Sequence, residues 1–269
     1  MDFSNWTFYK RGIHSTRAPH VDLGKVDAKS LFHHFKGGFY IRYGSDFDKV
    51  KSDKYYHVIK DGEVTMEAIP SKTRNMVRRC LKNCVVKKVD CKTITENRGG
   101  YEVVLSEYRR FSNKGFKASF EKTREQWSKG MQDAENNGQE FWAVIYQDIV
   151  IGYAATRVKD NMVEYTTWKC NYEKYKHFYP SYGLVFKMTE YYLQQPNIKY
   201  VDDGARSMTK HSNVQNFLID KFNFRKAYTK LNVHFRWWLS AILFLISPFE
   251  KYINHNGIKS LLRMYKWSR

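Results

Sequence analysis

A predicted strand that leads into a predicted helix, within residues 162–193, constrains the fold more than any other segment. Residues 162–168 have the period-2 pattern of a half-buried strand. After an aromatic connection, apolar side chains recur at helical spacing over 184–193, and Ser181 is placed to cap that helix. Because the first turn of a helix has unpaired N–H groups and a partial positive charge, this junction is a predicted anion site. Gly183 would let a ligand approach the backbone closely.

Strands and helices follow one another around this junction in an order that predicts a mixed sheet. The clearest hairpin joins 141–146 to 149–155 through Gln147 and Asp148. The other predicted helices and strands cover residues 39–43, 55–59, 71–83, 85–89, 101–111, 119–136, 198–202, 212–222 and 224–235. From residue 85 the order is strand, two helices, a three-stranded meander, helix, strand, helix and strand, which predicts a central sheet with helices on its faces.

The formal charge of +19 predicts a partner with negative charge. Nucleic acid, a phosphate-bearing cofactor, an anionic glycan and an acidic membrane surface all fit, and a merely solvated basic surface is the alternative. The helix over 71–83, with Ser71 as its expected cap, carries Lys72 and Arg74 in its first turn, where positive charge opposes the helix dipole. This placement indicates either an anion site or a solvated charged face. Charged residues make up 27% of the chain, which excludes a polytopic membrane protein.

The four cysteines give no sign of a metal site. Cys80, Cys84, Cys91 and Cys170 form no Cys-x-x-Cys pair, and no histidine pair has zinc spacing, so no metal is expected. Few cysteines in a long chain fit a reducing compartment. The first residues lack the basic and then apolar pattern of a signal peptide. We therefore expect a cytoplasmic protein, either free or membrane-associated.

The C-terminal segment differs from the rest of the chain. Residues 237–246 are almost continuously apolar but fall short of the ~20 residues that a transmembrane helix needs. Beyond Pro248, basic residues alternate with leucine, isoleucine, tyrosine and tryptophan. This composition suits an amphipathic helix that lies in a membrane interface. A helix packed on the sheet and a contact in a homodimer are the alternatives.

Residues 85–230, a little over half of the chain, resemble the GNAT (acyl-CoA N-acyltransferase) superfamily, and within it the FemAB-like branch. Residues 71–79 are similar to the basic helix that precedes the catalytic domain in that branch. Residues 141–155 resemble its central hairpin, and 213–224 resemble its late helix, which ends in Phe-Asn-Phe. The resemblance implies an α/β (α+β) fold with a GNAT-like mixed central sheet flanked by helices. The predicted segments are an N-terminal extension with a basic helix (1–84), an acyltransferase domain (85–235) and an apolar, basic, helical tail (236–269).

The resemblance also implies a cofactor site. In the GNAT fold two neighbouring parallel strands splay apart, the acyl thioester enters the gap, and the pyrophosphate of coenzyme A lies on the following helix. Here the strands would be 162–168 and 198–202. The implied cofactor-binding residues at the helix start are Ser181, Tyr182, Gly183 and Leu184. The donor would be acetyl-CoA or a longer acyl-CoA, without a metal. A FemAB-like enzyme would instead take an aminoacyl-tRNA, which fits the charge of +19.

The chemistry requires a base for the attacking amine and an acid for the leaving group. Candidate catalytic residues are Glu164, Asp202, Asp203, His211 and, as a substitute for the family's tyrosine acid, Tyr228. Adjacent carboxylates such as Asp202 and Asp203 raise one another's pKa, which suits a base, although Asp-Asp-Gly is equally typical of a turn. Arg206 and Ser207 are the candidate substrate-binding residues, and Arg206 would either hold an anionic group or pair with Asp203.

Three functions follow from these observations. The first is transfer of an acyl group from acyl-CoA to an amine on a sugar, peptide or amino acid. The second is transfer of an aminoacyl group from tRNA. The third is a catalytically inactive GNAT-like module that binds nucleic acid or membrane through its basic face.

Overall fold

The computed structural model describes residues 2–51, 54–112, 122–206 and 213–269. Its strands are β1 (Trp6–Tyr9), β2 (Gly12–Ser15), β3 (Tyr40–Ser45), β4 (Tyr56–Asp61), β5 (Val85–Val89), β6 (Gln139–Tyr146), β7 (Ile149–Lys159), β8 (Met162–Cys170), β9 (Tyr200–Ala205), β10 (Arg225–Tyr228) and β11 (Lys230–Phe235). Its α-helices are α1 (Ala28–His34), α2 (Ser71–Asn83), α3 (Cys91–Thr95), α4 (Gly100–Ser112), α5 (Arg124–Asn136), α6 (Tyr172–Tyr175), α7 (Pro180–Leu193), α8 (Val214–Phe222), α9 (Trp237–Ile246) and α10 (Asn256–Trp267).

Contacts divide the chain into two compact units. The first comprises Met1–Val58, Gly204–Val214 and Arg225–Arg269, and the second comprises Ile59–Asp203 and Gln215–Phe224. The basic helix α2 therefore belongs to the same unit as the hairpin and the strand-to-helix junction.

The first unit contains a four-stranded sheet in the order β1-β2-β3-β11. β2 and β3 are parallel, whereas β1 with β2 and β3 with β11 are antiparallel. Trp6, Ile13 and Ile41 from the strands pack with Leu31 of α1 to form one small core. The C-terminal helices α9 and α10 form a separate cluster. No helix among the described residues has the length and apolarity that crossing a membrane would require.

The larger sheet has the order β10-β4-β9-β8-β7-β6-β5, and β5 to β8 form an antiparallel meander. Its two tight turns have positive φ at both central residues, Gln147-Asp148 and Asp160-Asn161, as type I′ hairpins require. Helices α3, α4 and α5 cover one face, where Trp127 packs near Tyr153. On the other face lie α7 and α2. The predicted α/β fold, a mixed sheet flanked by helices, is confirmed.

Several predicted helix ends differ from the observed ones. Helix α2 begins at Ser71 itself, so Pro70 occupies the cap position and no side chain caps the helix. Helix α5 begins at Arg124, where Thr123 and Gln126 form a capping box. The expected cap Ser119 lies outside the described residues. The predicted end of α8 is confirmed, because Asn223 has a φ of 55° and terminates the helix in the left-handed conformation.

Candidate active site

The pairing between the two parallel strands β8 and β9 is short. Only three residue pairs are in register, Met162 with Tyr200, Val163 with Val201 and Glu164 with Asp202. β8 then continues to residue 170 and β9 to residue 205. The register between β7 and β8 shifts in the same part of the sheet, opposite Ala155 and Thr156. A bulge of this kind bends a strand and interrupts regular pairing, and this one lies two residues beyond Glu164, the last residue of β8 in register with β9.

Asp203 is the first residue of β9 beyond the last registered pair. Burial, together with the negative charge of the adjacent Asp202, raises the pKa of the Asp203 carboxyl to about 8. The indole of Trp168 on β8 donates a hydrogen bond to this carboxyl, which lowers the pKa in part. This bond connects the two strands beyond their last backbone pair. A carboxyl that titrates near neutral pH in such a place has the property of a general base.

Aromatic side chains from β8, α7 and α8 surround this part of the sheet. The ring of Trp168 lies 5.7 Å from that of Phe217, and the ring of Tyr182 lies 5.1 Å from Phe217 in an edge-to-face arrangement. Tyr165 is buried, and its hydroxyl lies 2.8 Å from the hydroxyl of Thr189 on α7. Burial raises the pKa of Tyr165, and the nearby charge of Asp203 adds to that rise. Of these rings, Trp168 contacts the Asp203 carboxyl directly, and burial of that carboxyl is the main cause of its raised pKa.

The N-terminus of α7 differs from the predicted arrangement. Tyr179, with a φ of 54°, occupies the cap position and makes no side-chain cap. Ser181 lies inside the first turn, is buried, and accepts a hydrogen bond from the hydroxyl of Tyr172 at 2.5 Å. The prediction that Ser181 caps this helix is therefore wrong. Pro180 at the first helical position removes the need for one cap, because its nitrogen carries no hydrogen.

Gly183 serves the packing of two helices. A Cβ added there would lie 2.4 Å from Sγ of Cys80 and 3.0 Å from its Cβ, so α2 lies directly against this turn of α7. The prediction that Gly183 opens the backbone to a ligand is wrong in this respect. Leu184 is also fully buried. Of the four predicted cofactor-binding residues, Tyr182 alone is partly exposed, and its ring contacts the aromatic residues near Asp203.

Positive charge is present at the exposed side of the same helix end. The guanidinium of Arg79 on α2 lies 5.7 Å from the centre of the Tyr179 ring. Arg78, Lys82 and Lys176 are exposed on α2 and on the turn before α7. Arg74, by contrast, donates to the carbonyl oxygen of Glu67 at 3.1 Å, so it holds the chain that precedes α2.

The other predicted site residues have separate surroundings. Asp202 is 2% exposed, and Glu164 pairs with Lys159 at 3.1 Å. Arg206 belongs to the first unit, where it donates to the carbonyl oxygen of Lys54 at 2.9 Å. Tyr228 belongs to that unit as well, with its ring edge-to-face to Tyr56. The predicted residues Ser207 and His211 lie outside the described residues.

Trp168 is the site residue that sequence reasoning missed. Trp168 is the last residue of the predicted strand 162–168, so the sequence places it correctly on β8. The alternating pattern gives no sign of the bulge at Thr166 that precedes it. Phe217 lies within the predicted helix 212–222, and no sequence pattern distinguishes it as a site residue. Within the described part of the chain, no group of three or more histidine, cysteine, aspartate or glutamate side chains could hold a metal ion.

Comparison with known proteins bears on the fold. No family model matches the sequence, and no curated protein matches it. The C-terminal domain of a lysylphosphatidylglycerol synthetase from Agrobacterium fabrum has a similar structure, with a TM-score of 0.51 and 10% identity over 89% of this chain and 82% of that one. FemX has a TM-score of 0.48 and 12% sequence identity, over 77% of this chain and 68% of the FemX chain. A GCN5-related N-acetyltransferase from Kribbella flavida has a TM-score of 0.34 and 9% sequence identity, over 75% of this chain and 43% of that one.

The chain therefore has a fold similar to that of the lysylphosphatidylglycerol synthetase domain, and the GNAT-like fold that the sequence resemblance implies is confirmed. Because one fold hosts many reactions, the donor and the acceptor have to be argued from the residues of the site.

Proposed function

We propose that this protein is an N-acyltransferase that moves an acyl group from an acyl-CoA to an amine on a sugar, peptide or amino acid, with Asp203 as the general base. One observation carries the proposal. A carboxyl whose pKa is raised to about 8 lies where β8 and β9 cease to pair, among aromatic side chains. An acyl chain fits an aromatic surrounding, and a base there can take a proton from an attacking amine.

The reaction balances with few protein groups. The ammonium form of the acceptor gives a proton to the Asp203 carboxylate, and the free amine then attacks the carbonyl carbon of the thioester. A carbon–nitrogen bond forms, the carbon–sulfur bond breaks, and the leaving thiolate takes up the second proton that the attacking nitrogen releases. Because the pKa of Asp203 is about 8, its carboxylate form increases with pH across the neutral range. The exposed basic residues Arg79 and Lys176, near the start of α7, supply positive charge for the phosphates of the donor.

An aminoacyl-tRNA is the second candidate donor. The exposed arginine and lysine side chains of α2 and the charge of +19 favour a long polyanion. The same chemistry applies, with a carbon–oxygen bond of the aminoacyl ester broken in place of the carbon–sulfur bond.

The test combines binding with turnover. Thermal shift of the full chain with acetyl-CoA, a long-chain acyl-CoA and tRNA identifies the donor class, and transfer to a panel of amines then measures the reaction. We expect stabilisation by an acyl-CoA and turnover that Asp203→Asn lowers on the order of a hundredfold or more while binding persists. Stabilisation by tRNA alone would favour the second donor. Binding of a polyanion without turnover on any amine would favour an inactive binding module.

A further inference from the structure

Helix α9 has two apolar faces, and the described residues cover only one of them. Leu239 and Leu243 on one side pack against Leu262 and Tyr265 of α10. Trp237, Phe244 and Leu245 stand on the opposite side and are 83%, 64% and 66% exposed.

The uncovered apolar surface continues beyond the helix. Phe249 and Tyr252, in the 3₁₀ segment Ser247–Tyr252, are 59% and 70% exposed. We call Trp237, Phe244, Leu245, Phe249 and Tyr252 together the exposed apolar segment. A helix that is apolar on all sides is normally buried, and a contiguous exposed apolar surface marks an interaction site.

The charge beside this segment is positive. Residues 236–269 contain six lysine and arginine residues and a single acidic one, Glu250. Lys266 binds the Glu250 carboxylate at 2.5 Å and thereby neutralises it. Lys29 and Lys36 add to the charge, because they line a cleft of about 600 Å³ together with Trp237.

We propose that the exposed apolar segment binds the surface of a bilayer that contains anionic phospholipid. Its side chains would enter the boundary between headgroups and acyl chains, and the neighbouring lysines would contact the phosphates. Tryptophan and tyrosine at the ends of the segment are the residues that favour this boundary. Helix α9 has ten residues, so it lies in the interface and does not span the bilayer.

The charge favours a bilayer over a second copy of the chain. Symmetric pairing of two such surfaces would bring like charges together, which opposes association. An anionic bilayer complements both the apolar and the basic character of the surface. This proposal is independent of the acyl transfer proposed above.

The experiment measures flotation of the full chain with vesicles of phosphatidylcholine, with and without phosphatidylglycerol. The test variant is F244S/L245S, and Val85→Ser, which alters a 58% exposed valine on β5, is the matched control. We expect the test variant to lower the partition coefficient about tenfold or more, from the apolar area removed. The control should bind like the wild type, and circular dichroism should show both variants folded.

A second variant tests the charge. K251Q/K259Q should weaken binding to the phosphatidylglycerol vesicles about tenfold and leave binding to neutral vesicles unchanged. Unchanged vesicle binding by F244S/L245S would overturn the proposal. The proposal would also be overturned if the wild type did not bind vesicles but formed a dimer that F244S/L245S dissociates. Asp203→Asn should bind vesicles like the wild type, which separates this result from that of the acyltransferase test.

Discussion

The surroundings of Asp203 and the exposed side of α9 break the usual distribution of side chains in opposite ways. At Asp203 burial raises the pKa of an ionisable group that accepts a hydrogen bond from the Trp168 indole, and on α9 large apolar side chains stand in water. Both arrangements cost stability, since a buried carboxyl loses hydration and exposed apolar surface orders water. Local disagreement of this kind is expected where a chain has a function beyond folding. The comparison thus separates the proposed chemical site in the second unit from the proposed binding surface in the first.

Of the variants that test this comparison, Asp203→Asn should have the largest effect, which is on the rate of acyl transfer. The amide keeps the shape of the side chain but cannot accept a proton, so kcat for amine acylation should fall on the order of a hundredfold or more. The free energy of unfolding should stay the same or rise at neutral pH, because the wild-type carboxyl must take up a proton on folding and the amide need not. Single-turnover kinetics and urea unfolding measure the two quantities. Asp133→Asn, at an exposed position of α5, is the control. Full activity of Asp203→Asn would remove Asp203 from the reaction.

Gly183→Ala tests whether Gly183 is needed for the packing of α2 on α7 or for ligand binding at the start of α7. The added Cβ would lie 2.4 Å from Sγ of Cys80, so we expect the variant to lose about 1–3 kcal/mol of stability through overpacking. Gly130→Ala is the matched control, because Gly130 is also helical and has only the end of Lys122 within 4 Å. It should gain about 0.5–1 kcal/mol from helix propensity. A stable Gly183→Ala that fails to bind acyl-CoA would instead restore the predicted role of Gly183 toward a ligand.

The stability of the protein should depend on pH through Asp203. Its pKa is raised from an ordinary value of 3.8 to about 8, so the folded chain holds this proton more tightly than the unfolded one. The contribution of this proton to the free energy of unfolding is therefore fully present below about pH 4 and is lost as the pH rises through about 8. Between these values the wild type should lose up to about 1.4 kcal/mol per pH unit relative to Asp203→Asn. Urea unfolding at intervals from pH 5 to 8 measures the difference, and parallel curves for the two proteins would contradict the raised pKa.

The sequence predicted the elements of the site better than their contacts. Periodicity and turn residues placed β6 to β8 and α7 closely, because these depend on neighbouring residues in the chain. The packing of Gly183 on Cys80 joins residues that are about a hundred positions apart, so no local pattern reveals it. The bulge at Thr166 is hidden for the same reason, since the register of β8 depends on β7. The paired carboxylates Asp202 and Asp203 remain predicted candidates, and which of the two accepts a hydrogen bond from Trp168 depends on the sheet.

The last prediction concerns the bond from Trp168 to Asp203. The indole N–H stabilises the carboxylate, so Trp168→Phe should raise the pKa of Asp203 further by up to about one unit. The midpoint of the rise of kcat with pH should move upward by the same amount, while the plateau at high pH stays close to that of the wild type. Trp127→Phe is the control, because Trp127 also loses a buried indole hydrogen bond, to Tyr153 at 3.2 Å. If both variants moved the midpoint equally, the shift would reflect general loosening of the unit. A shift in Trp168→Phe alone would show that Trp168 on β8 tunes the carboxyl on β9 beyond the last registered pair of the two strands.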